Sequence, residues 1–281
     1  AWHLLFHRFN SSWYWTSYNT GPALLFPDLR PTPQFEWMQE SIGEIKTGIG
    51  KLLLHARREH DGIAVHYSQA SVHAGTLMGR RVPTVQWGFA RLVEDLGLQY
   101  DMLSYDEIEK GRLSEYKVLL MPASSAISPA EAAAIRQFVE GGGTVVADPM
   151  PGVLDGHCRL LPTGQLDDLF GVKRSGLPES GEATMRLVKQ GLAGDLPLVL
   201  YDKGLKTDGA EAWGAAGDVP AVLVHKAGKG HAVVLNTAME NYERLHNART
   251  GQPVRTLIER LLAMAGVRAQ VAVTADGKPI E

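Results

Sequence analysis

Short, almost continuously apolar runs that alternate with amphipathic, well-capped helical stretches predict an α/β fold. Over residues 60–172 they predict a flavodoxin-like doubly wound parallel sheet. Three observations carry this. Four segments have buried-strand character: GIAVHYS (62–68), YDMLSY (100–105), YKVLLMP (116–122) and TVVAD (144–148). Helical patterns separate them, so neighbouring strands need crossovers and run parallel. The helices also carry their own start and stop signals.

Residues 1–59 read differently. SSWYW (11–15) is strand-like, with Trp13 and Trp15 on one face and Tyr14 on the other. After a Pro-rich loop, Phe35, Met38, Ile42, Ile45, Ile49, Leu52 and Ala56 form one apolar stripe at helical spacing. Glu36, Glu40, Glu44, Lys51 and Arg58 occupy the other face. A single strand and helix cannot bury themselves, so this βα unit needs more protein around it.

In VPTVQWGFARLVEDLG (82–97), Phe89, Leu92, Val93 and Leu96 face inward and Gly97 is the helix stop. Ser128-Pro129-Ala130-Glu131 is a capping box with proline at the first helical position. Its helix runs to Glu140 and ends on Gly141. Segments 69–81 and 149–165 read as loops at the sheet's carboxyl edge. In the last third, PLVLYD (197–202) is a strand, and 220–237 is a hairpin turning at Ala227-Gly228-Lys229-Gly230. Residues 253–265 form an amphipathic helix.

Composition narrows the function. The 281 residues are 44% hydrophobic and 21% charged, as in globular proteins, with a net charge of −3. No basic stripe argues for nucleic acid, and no apolar run is long enough to span a membrane. The lone cysteine, Cys158, cannot form an internal disulfide, which favours a reducing, cytoplasmic setting. Nothing calls for a cofactor.

The carboxyl end of a strand is where nucleophiles and ligands gather in such folds. TVVAD runs into Pro149-Met150-Pro151. Two prolines remove backbone N–H groups where an oxyanion hole would form. Asp148 and Pro149 therefore mark a vacant nucleophile turn. Cys158 lies too far beyond the strand to serve, and neighbours such as His157 and Cys158 rarely face each other. Asp148, Asp155 and His157 have metal-ligand chemistry but no metal-binding spacing, so no metal is expected; hydrogen bonds within their own loop explain them better. His66 is read as a satisfied strand-end histidine rather than a general base. Gly228-Lys229-Gly230 is a hairpin turn rather than a phosphate cradle. Trp13 and Trp15 form a flat wall suited to the CH face of a sugar or, equally, to core packing.

Taken together, GIAVHYSQASVHAG (62–75), YDMLSYDEIEKGRLSEYKVLLMPASSAIS (100–128) and AIRQFVEGGGTVVADPMPGVLDGHCRLLPTGQLDDLFGV (134–172) resemble the family-42 glycoside hydrolases. The third stretch is the most specific, with Gly152, Asp155, His157 and Arg159 followed by Leu166, Asp168, Leu169, Phe170, Gly171 and Val172. Those enzymes are β-galactosidases with a TIM barrel followed by a trimerisation domain, which is similar to class I glutamine amidotransferases with the catalytic cysteine replaced.

The resemblance implies that residues 1–59 are the last strand and helix of a (β/α)8 barrel. It makes 60–268 the trimerisation domain and 269–281 the start of a C-terminal β domain. It implies a homotrimer, a galactoside bound by the barrel with Trp15 or Trp13 as the wall, and two catalytic glutamates from earlier barrel strands. Asp28, Glu36, Glu40 and Glu44 cannot replace that pair, so this chain is expected to contribute no catalytic residue. His73, Met78, Met150 and Leu154, which have no obvious core to fill, are the expected subunit contacts. The competing readings are a stand-alone amidotransferase-like enzyme, which would need a nucleophile at the strand end, and a degenerate carbohydrate-binding protein.

Overall fold

The computed structural model describes Leu5 and residues 23–57, 59–189, 191–271, 274–275 and 278–279. The chain divides into two units, Ala1–Glu59 and His60–Glu281. The expected strand at 11–15 lies outside the described residues.

In the first unit a helix spans Pro33–Glu44. Thr32 caps it by accepting from the Phe35 amide, and proline stands in the first turn. The long stripe expected to run through Ala56 does not stay on one straight helix. A π-helical turn, Ile45–Ile49, with Gly48 at φ 128°, leads into Gly50–His55. Glycine alone tolerates that backbone comfortably, so the apolar spacing continues while its direction changes. Phe35, Met38, Ile42 and Ile45 are half-buried, whereas Ile49 and Leu52 beyond the turn are exposed.

The second unit is built on one nine-stranded sheet. Its parallel half contains β1 (Ile63–Tyr67), β2 (Tyr100–Ser104), β3 (Val118–Met121) and β4 (Thr144–Ala147). The two-residue strands β5 (Val172–Lys173) and β8 (Lys206–Thr207) pair with each other outside that sheet. The remaining members are β6 (Glu179–Leu187), β7 (Asp195–Tyr201), β9 (Glu211–Ala216), β10 (Val219–Ala227) and β11 (Gly230–Leu235). The spatial order is β2-β1-β3-β4-β11-β10-β9-β6-β7. The first five are parallel neighbours, in the flavodoxin-like arrangement. The sheet then turns antiparallel through β10, β9, β6 and β7.

The expected 220–237 hairpin forms, with Ala227 opposite Gly230. Its second strand completes the parallel half, so the doubly wound core extends well past residue 172. Segment 69–81 is a further correction. Gln69–Leu77 is a helix capped by Ser68, whose hydroxyl accepts from the Ser71 amide.

Apolar residues alternate between the two faces of the strands, and each face has its own core. Val118 and Leu120 join Phe89, Leu92, Leu257 and Leu261 on one side. Leu119 and Met121 join Ile108, Ile135, Val139 and Phe170 on the other. Each fully buried side chain of this size stabilises the fold by about 1.5–3 kcal/mol. Helix Pro129–Gly141 starts with the expected capping box, Ser128 and Glu131 exchanging bonds with each other's amides. Helix Val82–Asp95 lies directly on the 239–241 turn because Gly88 presents no side chain to the Met239 carbonyl.

Candidate functional site

The carboxyl edge of the parallel strands is where this fold would place chemistry. Strand β4 delivers Asp148, which is 3% exposed. Its Oδ1 accepts from the Ala123 amide at 2.9 Å. Burial pushes its pKa up to about 7, against the opposing pull of that hydrogen bond and of the Arg80 charge. The residue at the end of β3 with a left-handed backbone is Ala123, at φ 46°; Asp148 itself is not among the positive-φ residues. A nucleophile elbow needs the strained conformation at the nucleophile. Here the strain and the acid sit on different strands.

The surrounding guanidiniums are engaged by the turn and its neighbours, although Arg174 Nη2 is buried without a partner among the described residues. Arg174 donates to the Pro149 carbonyl and pairs with buried Asp167 at 2.7 Å. Arg80 donates to the Pro178 carbonyl at 2.9 Å and contacts Met150 Sδ. The Ala123 amide donates to Asp148 and is not free to serve an oxyanion. The vacancy read from two prolines is therefore a filled, hydrogen-bonded turn.

Beside it lies an arrangement that sequence reading did not assemble. His66 Nδ1 is 2.9 Å from Ser124 Oγ, and Nε2 is 3.0 Å from Glu131 Oε1. Serine, histidine and carboxylate at hydrogen-bond distances are the components of a hydrolytic triad. Access is missing: Ser124 is 1% exposed and His66 fully buried. Glu131 Oε2 is also taken, by the Ser128 amide at 2.6 Å. The trio pins β1, the β3 turn and helix Pro129–Gly141 together, and His66 is satisfied as expected.

Cys158 is half-buried at φ 64°, its thiol 3.4 Å from the Ala70 carbonyl. Asp155 accepts from the amides of His157 and Arg159, an Asx-type turn that fixes the loop path; those amides hold its carboxyl below the usual range. Replacing Cys158 by serine keeps a donor of similar shape. Cys158→Ser is expected to change stability by less than about 1 kcal/mol and to leave any activity of the intact protein unchanged. A tenfold loss of rate with unaltered melting temperature would contradict this.

Met150 and Leu154 correct an expectation. They do have a core, a small cluster with Ala74, Ala126 and Val153 under the carboxyl edge, and both are 5% exposed. Met78 packs half-buried at its rim. His73 is exposed, with Nε2 3.0 Å from Gln69 Nε2. Trp13 and Trp15 lie outside the described residues. Among the described residues no cluster of three His, Cys, Asp or Glu side chains suits a metal, and no helix is long and apolar enough to cross a membrane.

Residues 83–268 match the family model described as the β-galactosidase trimerisation domain. Several solved structures share the fold. A β-galactosidase from Bacillus circulans sp. alkalophilus is 20% identical with a TM-score of 0.71, over 93% of this chain and 40% of that one. The enzyme from Rahnella sp. R3 is 18% identical with a TM-score of 0.72, over 93% and 40%. That from the Antarctic haloarchaeon Halorubrum lacusprofundi is 22% identical with a TM-score of 0.65, over 88% and 36%. The chain thus spans 40% or less of the length of these three structures. No curated protein matches.

Proposed function

The chain belongs to the β-galactosidase trimerisation-domain family, and we propose that it holds together the homotrimer of a β-galactosidase-like hydrolase while performing no chemistry of its own. The observation that carries this reading is the strand-end turn. The strand end where a nucleophile would stand carries Asp148 and Pro149 instead, held by the Ala123 amide and Arg174. A stand-alone amidotransferase-like enzyme would need a free nucleophile there.

In this reading residues 1–59 complete a (β/α)8 barrel, Trp15 or Trp13 walls its galactoside site, and residues 269–281 open a C-terminal β domain. The two glutamates of a retaining mechanism would come from other barrel strands of the intact protein. The single thiol fits a cytoplasmic location. A three-fold ring uses heterologous contacts, so two different patches must match. Met78 and its exposed neighbour Leu77 are candidates for one patch. Met150 and Leu154 would support that edge from beneath, and exposed His73 would add a polar contact to it.

Light scattering on the intact protein at micromolar concentration is expected to give three times the subunit mass. A monomer would overturn the assembly role, and a dimer its three-fold form. The 281-residue chain alone is expected to hydrolyse an aryl β-galactoside no faster than buffer.

A further inference from the structure

The sheet order reverses between β1 and β3, since β1 is flanked by β2 on one side and β3 on the other. In open α/β sheets the crevice outside the carboxyl ends of the strands at such a reversal is where ligands bind. A cavity of about 490 Å³ lies there. Ser68 and Gln69 reach it from the end of β1, His73 from the helix that follows, Tyr105 and Glu109 from the short helix Tyr105–Glu109 after β2, and Glu131 from the helix after β3, while Gly156, His157 and Cys158 close one side. Its size falls within the range of about 300–1,000 Å³ usual for small-molecule sites. It is separate from the cleft at Asp148, which is bordered by Arg80, Pro149 and Glu240.

The lining selects the ligand. It combines the acids Glu109 and Glu131 with the histidines His73 and His157, so it presents mixed hydrogen-bonding groups rather than the concentrated charge of one sign that an ion needs. Glu131 is also consumed by His66 and the Ser128 amide, so it offers little to a cation. Glu109 gives one oxygen to Ser128 Oγ at 2.5 Å, and its other oxygen can accept from a ligand hydroxyl. Tyr105, 45% exposed, supplies an aromatic face and a hydroxyl. An aromatic platform beside a lone carboxylate acceptor suits a ring with an apolar CH face and hydroxyls on its edge.

We propose that this crevice is a binding site for a neutral, polyhydroxylated ring, a mono- or disaccharide, separate from any site in the barrel. It goes beyond the assembly role and does not depend on it.

The test is saturation-transfer NMR and calorimetry of the 281-residue chain with galactose and lactose as probes. Saturable binding in the millimolar range is expected. Tyr105→Ala and Glu109→Gln should each weaken it by about fivefold or more, roughly 1 kcal/mol, with the melting temperature unchanged, because both side chains are exposed. Trp13→Ala and Trp15→Ala should leave it intact. Absence of saturable binding at roughly 50 mM sugar, far above a millimolar Kd, would overturn the proposal. So would binding indifferent to Tyr105 and Glu109, or binding lost with either tryptophan. Tighter binding of ethanolamine than of either sugar would reassign the crevice to a cation and overturn it equally. A monomeric intact protein would sink the assembly role and leave these outcomes untouched.

Discussion

Gly88→Ala is expected to destabilise the second unit by about 3 kcal/mol or more, lowering its melting temperature by roughly 10 °C. A Cβ at this position would stand 2.1 Å from the Met239 carbonyl oxygen and 2.9 Å from its carbon. Both are backbone atoms, so no side chain can swing aside. Helix Val82–Asp95 would have to lift off the turn at Met239–Asn241, opening the core formed by Phe89, Leu92 and Val93. Alanine is otherwise the better helix former, so an effect in this direction isolates the close approach. Gly141→Ala is the control. It ends helix Pro129–Gly141 in the same unit with no atom within 4 Å of a new Cβ, and it should be close to neutral. A shift below about 2 °C for Gly88→Ala, less than 1 kcal/mol for a unit of this size, would mean that the helix does not rest on that turn.

The second large effect is a pH dependence. Asp148 has a folded-state pKa of about 7, against 3.8 ordinarily, because burial penalises its charge. The folded state therefore holds a proton over the interval in which the unfolded chain has lost it. Its contribution to stability is complete below about pH 4, declines as pH rises, and is gone above about pH 7. Three units correspond to about 4 kcal/mol as an order of magnitude. Asp148→Asn mimics the protonated acid, keeping an oxygen for the Ala123 amide and a donor in place of the O–H. The variant should match the wild type near pH 4 and exceed it by up to that amount near pH 8, read as urea midpoints. Parallel stability curves for the two proteins would show that Asp148 ionises freely and that its burial has been misjudged.

The parallel strands were legible because strands covered on both faces read as unbroken apolar runs, as VLLM and TVVA do. Strands β6 and β9 were not. ESGEATMRL and EAWGAA are rich in glycine, alanine and charge, and their pairing with each other and with β7 and β10 overrides weak local preference. Helix Gln69–Leu77 was hidden because Ser71, Gly75 and Thr76 dilute its period, although the Ser68 cap was a usable signal. The kink at Gly48 leaves the apolar spacing undisturbed, so periodicity could not reveal it.

At the site, the prolines and Asp148 marked the strand-end turn in the sequence, but the bonds that fill it, from the Ala123 amide and Arg174, come from distant segments. The His66 trio could not be read, because its partners stand 58 and 65 residues along the chain. Met150 and Leu154 looked surplus because the cluster they fill is assembled from three separate segments.

The position of β11 between β4 and β10 also bears on how the chain emerges from the ribosome. Strand β4 is complete at Ala147, yet its neighbour begins only at Gly230, roughly 80 residues later. At about 5–20 residues per second, β4 remains an uncovered sheet edge for on the order of 4–16 s. All four of its residues are buried in the finished fold, so during that interval a sticky, hydrogen-bond-hungry border is open to other chains. Translation halted between the two strands would leave a nascent protein with that edge still open and prone to aggregate.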